Sequence, residues 1–484
     1  MDHVIYDILI IGGGINGTAI ARAAAVAGLK VLLVEQDDLA HATSSASTKL
    51  MHGGLRYLER YEFRLVHESL TERGIMLRTA PHLVQPLEFH IPHNAQMRPW
   101  LMMRSGLWLY DLLAWRGHLP RSRSIALDDP VVVNAGRRGF SYWDARVDDA
   151  RLVVLNALDA ANAGALIQTR TRFVSATRGK DVWTVTLQAP GGDQVVTARR
   201  IVNAAGPWVE LVLRSGFGQR GPSRLRLVRG SHIITTRCFA GDHAWLFQQP
   251  DGRIVFAIPY LNAFTLIGTT DEPVDGPHEA QISPAEEEYL LAAINRYRRT
   301  PIAPAQIVTS YAGIRALFDD GAGSASAVSR DYHLDLDTAG PPLLSVFGGK
   351  ITTARHLAEV ALARLGIKDR QTRHRPLPGG DMQDFAAFFE QARQHWPFMD
   401  GDQLHRMARA YGTCLAEVIG DARRVDDLGR DFGAGLYARE VDYLIDKEWV
   451  TTAEDILWRR TKLGLHLQAI QVEVLDAYID ERRK

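Results

Sequence analysis

The chain has little sulfur chemistry: two cysteines, Cys238 and Cys414, in 484 residues. No C-x-x-C spacing occurs, which excludes a disulfide framework and a thiolate zinc site and fits a reducing compartment. Net charge is also missing. Lys and Arg number 56, Asp and Glu 56, so nothing in the balance marks a partner for nucleic acid. No apolar run approaches the roughly 20 residues needed to span a bilayer. A strand beginning within the first several residues is incompatible with a secretory leader. No internal repeat is visible. What is there is a chain 46% hydrophobic, with ample core and a length that sets a prior of roughly three domains.

The most informative stretch runs from Tyr6 to Gln36 and holds the parts of a dinucleotide site in order. Ile8 to Ile11 reads as a buried parallel strand, and Gly12, Gly13, Gly14, Asn16 and Gly17 turn it into a helix. Gly12 permits the tight turn, Gly14 lets the backbone approach a pyrophosphate, and Gly17 lets helix and sheet pack closely. The alanine-rich segment Ala19 to Ala27 continues that helix, its free N-terminal N–H groups facing the phosphates, and Gly28 ends it. A second strand, Val31 to Val34, delivers Glu35 and Gln36. A carboxylate there accepts hydrogen bonds from ribose hydroxyls and repels a 2′-phosphate.

Where a nicotinamide enzyme would usually start another β-α unit, a polar run follows: Thr43, Ser44, Ser45, Ser47, Thr48 and Lys49, then His52-Gly53-Gly54-Leu55-Arg56-Tyr57. Its hydroxyls and flexible backbone suit a long, permanently bound cofactor, although composition alone also fits a Ser-rich surface loop. Two later segments return to the same place. Arg200 to Trp208 is a buried strand ending in Ala204, Ala205, Gly206 and Trp208, and Leu343 to Thr353 is strand, then Gly348 and Gly349, then a helix start carrying Lys350 and Thr352. A cation at a helix start stabilises negative charge, and reduced flavin is anionic at N1 and O2.

Over nearly its whole length the chain resembles the FAD-dependent respiratory glycerol-3-phosphate dehydrogenases of bacteria, within the D-amino-acid-oxidase-like flavoproteins. The resemblance rests on the glycine fingerprint, ATSSASTKLMHGGLRYLE from Ala42 to Glu59, VDDARLV from Val147 to Val153, and NAAGPW from Asn203 to Trp208. RGSHI from Arg229 to Ile233, IGTTD from Ile267 to Asp271, SRDY from Ser329 to Tyr332 and FGGKITT from Phe347 to Thr353 complete it. The chain has Arg315-Ala316 where the family pattern leads one to expect Arg-Pro. The resemblance implies an α/β FAD-binding domain, Rossmann-like and discontinuous, from residues 1–80, 145–220 and 310–370. An inserted α+β substrate domain dominated by an antiparallel sheet would take 81–144 and 221–309. After a linker rich in Pro, Gly and charge, Arg373 to Gly380, an all-α C-terminal domain would take 381–484.

It also implies a reaction: sn-glycerol 3-phosphate to dihydroxyacetone phosphate, hydride passing from C2 to flavin N5 and electrons onward to a membrane quinone. Phosphate calls for cations and hydroxyl donors. The candidates are Arg56, Arg330, Thr269, Thr270 and Tyr57, with Arg315 to position and polarise the hydroxyl and Lys350 beside the flavin. His232 or water would take the proton, because arginine stays protonated in proteins. No metal is expected, since the loose spacing of His90 and His93 is interrupted by Pro92, which makes a structural role the better reading. Absence of an obvious His or Cys at the turn favours noncovalent FAD. Pro99 to Arg116 reads as an amphipathic helix with apolar Leu101, Met102, Leu109, Leu112 and Leu113, bordered by Trp100, Trp108 and Trp115 near Arg104 and Asp111. That pattern fits a buried packing helix or a membrane surface, and the resemblance favours the membrane. A peripheral location on the cytoplasmic side of the bacterial inner membrane, a cytoplasmic fraction and a homodimer follow as expectations. Alternatives are an oxidase using oxygen, an amine or amino-acid oxidase, and a catalytically silent flavin-binding module at a membrane surface.

Overall fold

The apolar tetrapeptides Ile8–Ile11 and Val31–Val34 form neighbouring parallel strands, every residue buried. Both faces of such a sheet must be covered, which is why these strands run apolar without alternation. The computed structural model describes residues 4–94, 98–114, 119–127, 131–134, 136–219, 223–319 and 331–484, with the side chains of Arg56 and Arg60 left out. The sheet has six strands in the order His333–Asp337, Leu343–Phe347, Ile201–Asn203, Ile8–Ile11, Val31–Val34, Leu166–Gln168. All pairs are parallel except at the His333–Asp337 edge. From Ile8–Ile11 the chain winds first toward Val31–Val34 and later to its other flank at Ile201–Asn203, creating a crevice at the strand ends.

Helices Ile15–Val26, Asp149–Asn162 and Ala354–Arg364 cover one face, and their alanines share a core with Ile8, Ile10, Val31 and Leu33. The other face packs against a four-stranded sheet built mainly from residues 172–198.

A second large sheet holds ten strands in its main and branching path. Its long members are Val84–His93, Arg138–Val147, Leu225–Thr236 and Ile307–Phe318. It is antiparallel except where Ala244–Gln248 lies parallel to Val84–His93. The domain limits expected from sequence cut through these strands. Ile307–Phe318, assigned from residue 310 onward to the flavin domain, pairs with Leu225–Thr236 almost end to end, Arg315 opposite Val228. Leu50–Met51, from the first flavin segment, also joins this sheet. A backbone ladder, rather than the position of a motif along the chain, decides where such a strand belongs.

The C-terminal helices, among them Gly401–Tyr411 and Ala438–Glu448, close around their own core of Leu404, Tyr411, Val441, Leu444 and Leu475. Phe432 is also a member of that core. The segment before it is no loose tether. Leu377 is buried, its N–H bonds to Thr79 O at 2.9 Å, and Arg375 reaches Asp159 at 2.8 Å. Asp159 also holds Arg22 at 2.6 Å. Further buried ion pairs join the bundle to the flavin domain: Arg151 to Glu448, and Arg459 and Arg460 to Asp38.

Candidate active site

The crevice at the strand ends is lined first by backbone. Gly12 has φ +110°, and a Cβ there would lie 2.7 Å from Ala204 O, so only glycine fits between the fingerprint strand and its returning neighbour. A Cβ at Gly17 would lie 1.9 Å from Gly12 O, which fixes how closely the helix approaches the turn. Helix Ile15–Val26 has no side-chain N-cap bond at Gly14, although Ser44 Oγ accepts from Ile15 N–H at 3.0 Å. The Glu35 carboxylate accepts from Gly13 N–H at 2.6 Å and Asp37 N–H at 2.9 Å. Burial raises the affinity of Glu35 for a proton, and those two N–H groups oppose the rise.

The distant Gly348-Gly349-Lys350 segment closes the crevice from the other side. Asn16 Nδ2 donates to Gly348 O at 3.0 Å, while the buried Asn16 Oδ1 has no partner. Lys350 Nζ is buried without a hydrogen-bond partner and sits 4.2 Å from the centre of the Tyr57 ring. An ammonium buried beside an aromatic face and lacking an anion is an unfinished arrangement. These features fit FAD: a glycine cradle and helix N-terminus for the pyrophosphate, Glu35 for the ribose, and Lys350 for the negative charge of a reduced flavin. Ala205, Gly206 and Trp208 stand where the returning strand passes Gly12, and Thr352 is buried in the turn after Lys350.

Beside this cradle lies a cavity of about 410 Å³. One wall carries Thr269, Asp271 and Arg315; most of the rest is apolar, including Leu55, Phe89, Met102, Leu107 and Phe256. Arg315 Nη2 donates to Thr269 Oγ1 at 3.0 Å, and Nη1 donates to Asp271 at 2.5 Å and Thr270 O at 3.2 Å. The cavity mouth includes Tyr61 and Phe63 beside Met102 of helix Trp100–Leu113. That helix buries Leu107 and Tyr110 yet leaves Leu101 (77%), Met102 (57%) and Trp108 (60%) exposed. Trp100 is a packing residue, with its ring 4.1 Å from Phe140. Trp115 and Arg116 lie outside the described residues.

Several expected contacts are placed elsewhere. Thr270 is buried on the far side, donating to Glu286 at 2.7 Å and accepting from Ser231 N–H at 2.9 Å. Burial alone would raise the Glu286 carboxyl, but hydrogen bonds from Thr270, Ser283 and Ser231 hold it at about 2. Thr270 therefore does not face a phosphate. Lys49 and Ser47 converge on buried Asp149, at 2.8 and 2.7 Å, so their polar ends brace the loop. Thr43 donates to Ile314 O at 2.7 Å, tying the loop to the Arg315 strand. Ser45 donates to Ala42 O at 3.2 Å, and Gln36 is exposed. Gly53 donates its N–H to Tyr110 Oη at 2.8 Å, within a buried network that includes Asp144 and Arg73. Gly54 and His52 line the cavity. The side chain of Arg56 and the whole of Arg330 lie outside the described residues.

His232 is 1% exposed and does not line the cavity. Its Nε2 is 2.9 Å from Thr48 Oγ1, and it is Thr48 that faces the cavity. Burial, then the cations Arg315 and Lys49, keep the ring well below the usual histidine range, so it is neutral at pH 7. Sequence reasoning missed Thr48 and Asp271. Both sit inside motifs that carried the resemblance, flanked by residues of the same chemistry, and only side-chain direction separates them from their neighbours.

Comparison with known proteins agrees with this geometry. Residues 7–355 match the model of the FAD dependent oxidoreductases, and residues 370–482 match the C-terminal domain of alpha-glycerophosphate oxidase. A glycerol-3-phosphate dehydrogenase of Pseudomonas aeruginosa is 49% identical, over 98% of this chain and 95% of its own. A D-erythritol 1-phosphate dehydrogenase of Brucella abortus is 47% identical, over 95% of each chain. The aerobic glycerol-3-phosphate dehydrogenase of Escherichia coli K12 is 44% identical, over 98% of this chain and 97% of its own. The solved glycerol-3-phosphate dehydrogenase of Bacillus halodurans, complexed with FAD, is 26% identical with a TM-score of 0.77, covering 100% of this chain and 90% of that one. With the cradle, the cavity and the helical bundle all accounted for, the chain belongs to the FAD-dependent oxidoreductases of the glycerol-3-phosphate dehydrogenase group, and FAD is its cofactor.

Proposed function

We propose that the protein oxidises sn-glycerol 3-phosphate to dihydroxyacetone phosphate and delivers the electrons to a membrane quinone. The observation that carries this reading is Arg315, held by Thr269 and Asp271 on the wall of a cavity adjoining the Lys350 cradle. FAD, when bound, supplies the two-electron acceptor for the hydride.

The chain's own residues do the rest. Arg315 is fixed by three acceptors, so its guanidinium meets the substrate already oriented, and it polarises the C2 hydroxyl. Thr269, Tyr57, Arg56 and Arg330 are assigned to the phosphate. Thr48 takes the hydroxyl proton and passes its own to His232 Nε2, which is neutral and within hydrogen-bond reach. Lys350 offsets the negative charge that accumulates across the cavity. The cavity lining includes Met102 of helix Trp100–Leu113, whose Leu101, Met102 and Trp108 are exposed, and this apolar continuity supports an apolar acceptor meeting the site at a membrane-facing opening. Among the described residues no helix is long and apolar enough to cross a membrane, so contact through that face is peripheral attachment.

Anaerobic titration tests the proposal. Glycerol 3-phosphate should bleach the visible flavin band at lower concentration than D-erythritol 1-phosphate, and glycerol and a D-amino acid should not bleach it. Preferential bleaching by the tetritol ester would move the assignment to the Brucella abortus relative's substrate class. Stoichiometric peroxide in air, with no acceleration by a quinone, would replace quinone with oxygen as acceptor.

A further inference from the structure

A second cavity, about 300 Å³, lies at the seam between the helical bundle and the antiparallel sheet. Seven of its lining residues are Lys or Arg, against two acids, Asp148 and Asp402. Five of the seven already have carboxylate partners: Lys49 with Asp149, Arg151 with Glu448, Arg406 with Glu440, Arg460 with Asp38 and Lys462 with Asp148.

The remaining two do not. Arg146 donates only to the neutral Gln85 Oε1, at 3.1 and 2.7 Å. Arg409 donates to the carbonyls of Pro81 and His82 at 3.3 and 3.4 Å, and its Nε is buried without a partner. Asp384 and Asp242 act on these arginines only beyond ion-pair distance. Burial first, and then Arg146, disfavour the charge on Arg409; burial, then Arg409 and Arg146, disfavour a charge on His405 of the same cavity, with Asp402 opposing. His82, 0% exposed, lines the cavity with neither ring nitrogen hydrogen-bonded. Two guanidiniums lining one cavity, neither in an ion pair with a carboxylate, together with an unpartnered imidazole, make a receptor for an oxyanion with several acceptor oxygens.

We propose that this cavity binds inorganic phosphate or a phosphate monoester between Arg146 and Arg409, bracing the helical bundle against the antiparallel sheet at a site separate from the chemistry. The FAD-loaded full chain would be dialysed to equilibrium against labelled inorganic phosphate. In parallel, a flavin difference-spectrum titration with the same anion would report only what reaches the flavin. The expected result is one phosphate per chain that is silent in the flavin spectrum, and Arg409→Gln should weaken that component by about 10-fold or more while leaving the flavin titration unchanged. Arg146→Gln provides the same reading from the sheet side if the Arg409 variant does not fold. Repeating the dialysis anaerobically with glycerol 3-phosphate on pre-reduced enzyme separates the sources. Tighter retention of the ester assigns the site to a metabolite, and equal retention assigns it to inorganic phosphate. A single phosphate accounted for by the flavin titration, or two foldable variants that bind like the parent, would overturn the proposal.

Discussion

The two cavities share one sheet and handle charge in opposite ways. In the larger, Arg315 reaches the wall already paired to Asp271 and hydrogen-bonded to Thr269, and most of the surrounding surface is apolar. In the smaller, cations crowd the wall, and Arg146 and Arg409 meet only neutral acceptors. A paired guanidinium keeps a fixed direction, as a group that must meet a reacting hydroxyl requires. An unpaired one keeps its attraction for an incoming anion. The difference separates a site built to orient from a site built to hold.

Removing the orienting group should cost most. Arg315→Leu is expected to lower kcat/KM by about 10³-fold, roughly 4 kcal/mol of transition-state stabilisation, while flavin absorbance is retained; steady-state kinetics on FAD-loaded enzyme would show it, and a variant within threefold of the parent would contradict the role given to Arg315. At the seam by the second cavity, Glu448→Gln leaves buried Arg151 without its counter-charge. Stability should fall by about 3–5 kcal/mol, read from chemical denaturation. Thr48→Val breaks the link between cavity and His232 and should reduce kcat by about 10–100-fold with little change in KM. Thr48→Ser should recover most of the loss, and failure of serine to do so would make Thr48 a packing residue.

The smallest effect concerns His82. Burial, then Arg151 and Arg409, lower its pKa from 6.5 to about 3. The unfolded chain therefore binds a proton that the folded chain refuses. The stabilising contribution is complete above pH 6.5 and is lost as pH falls from there toward 3. Tm measured between pH 7 and 5 should fall less steeply for His82→Gln than for the parent. Phosphate in the buffer should flatten the parent's curve if the second cavity is filled.

The flavin side was legible because its information is local. Strand, glycines, helix, strand and Glu35 lie within residues 8–35, and each limit of the two strands falls where the apolar runs end. Lys350 was also legible, since a cation after two glycines at a helix start has few bland explanations. The substrate wall was harder. Thr269 and Thr270 are adjacent and chemically identical, yet one meets Arg315 and the other Glu286. Ser47, Thr48 and Lys49 divide in the same way between Asp149 and the cavity. Nothing in composition distinguishes them, because the deciding partners sit on other strands and helices: Arg315 and Glu286 lie 46 and 16 residues from the two threonines, and Asp149 lies 102 and 100 residues from Ser47 and Lys49. The sequence points to His232 or water as direct proton acceptor, whereas the His232 ring is buried behind Thr48.

The bond from Asn16 to Gly348 O spans 332 positions of the chain. It makes the two sides of the crevice depend on segments far apart in the chain. A nascent polypeptide that has exposed only its first 200 residues carries the complete glycine fingerprint but neither Lys350 nor the turn that closes over the crevice. Such a chain has half a clamp. A crevice closed on both sides therefore needs the chain as far as Lys350, and the helical bundle that follows ties back to the same domain through Arg460 on Asp38. Truncation before that point is expected to leave a polypeptide that keeps the nucleotide motif but loses flavin on gel filtration.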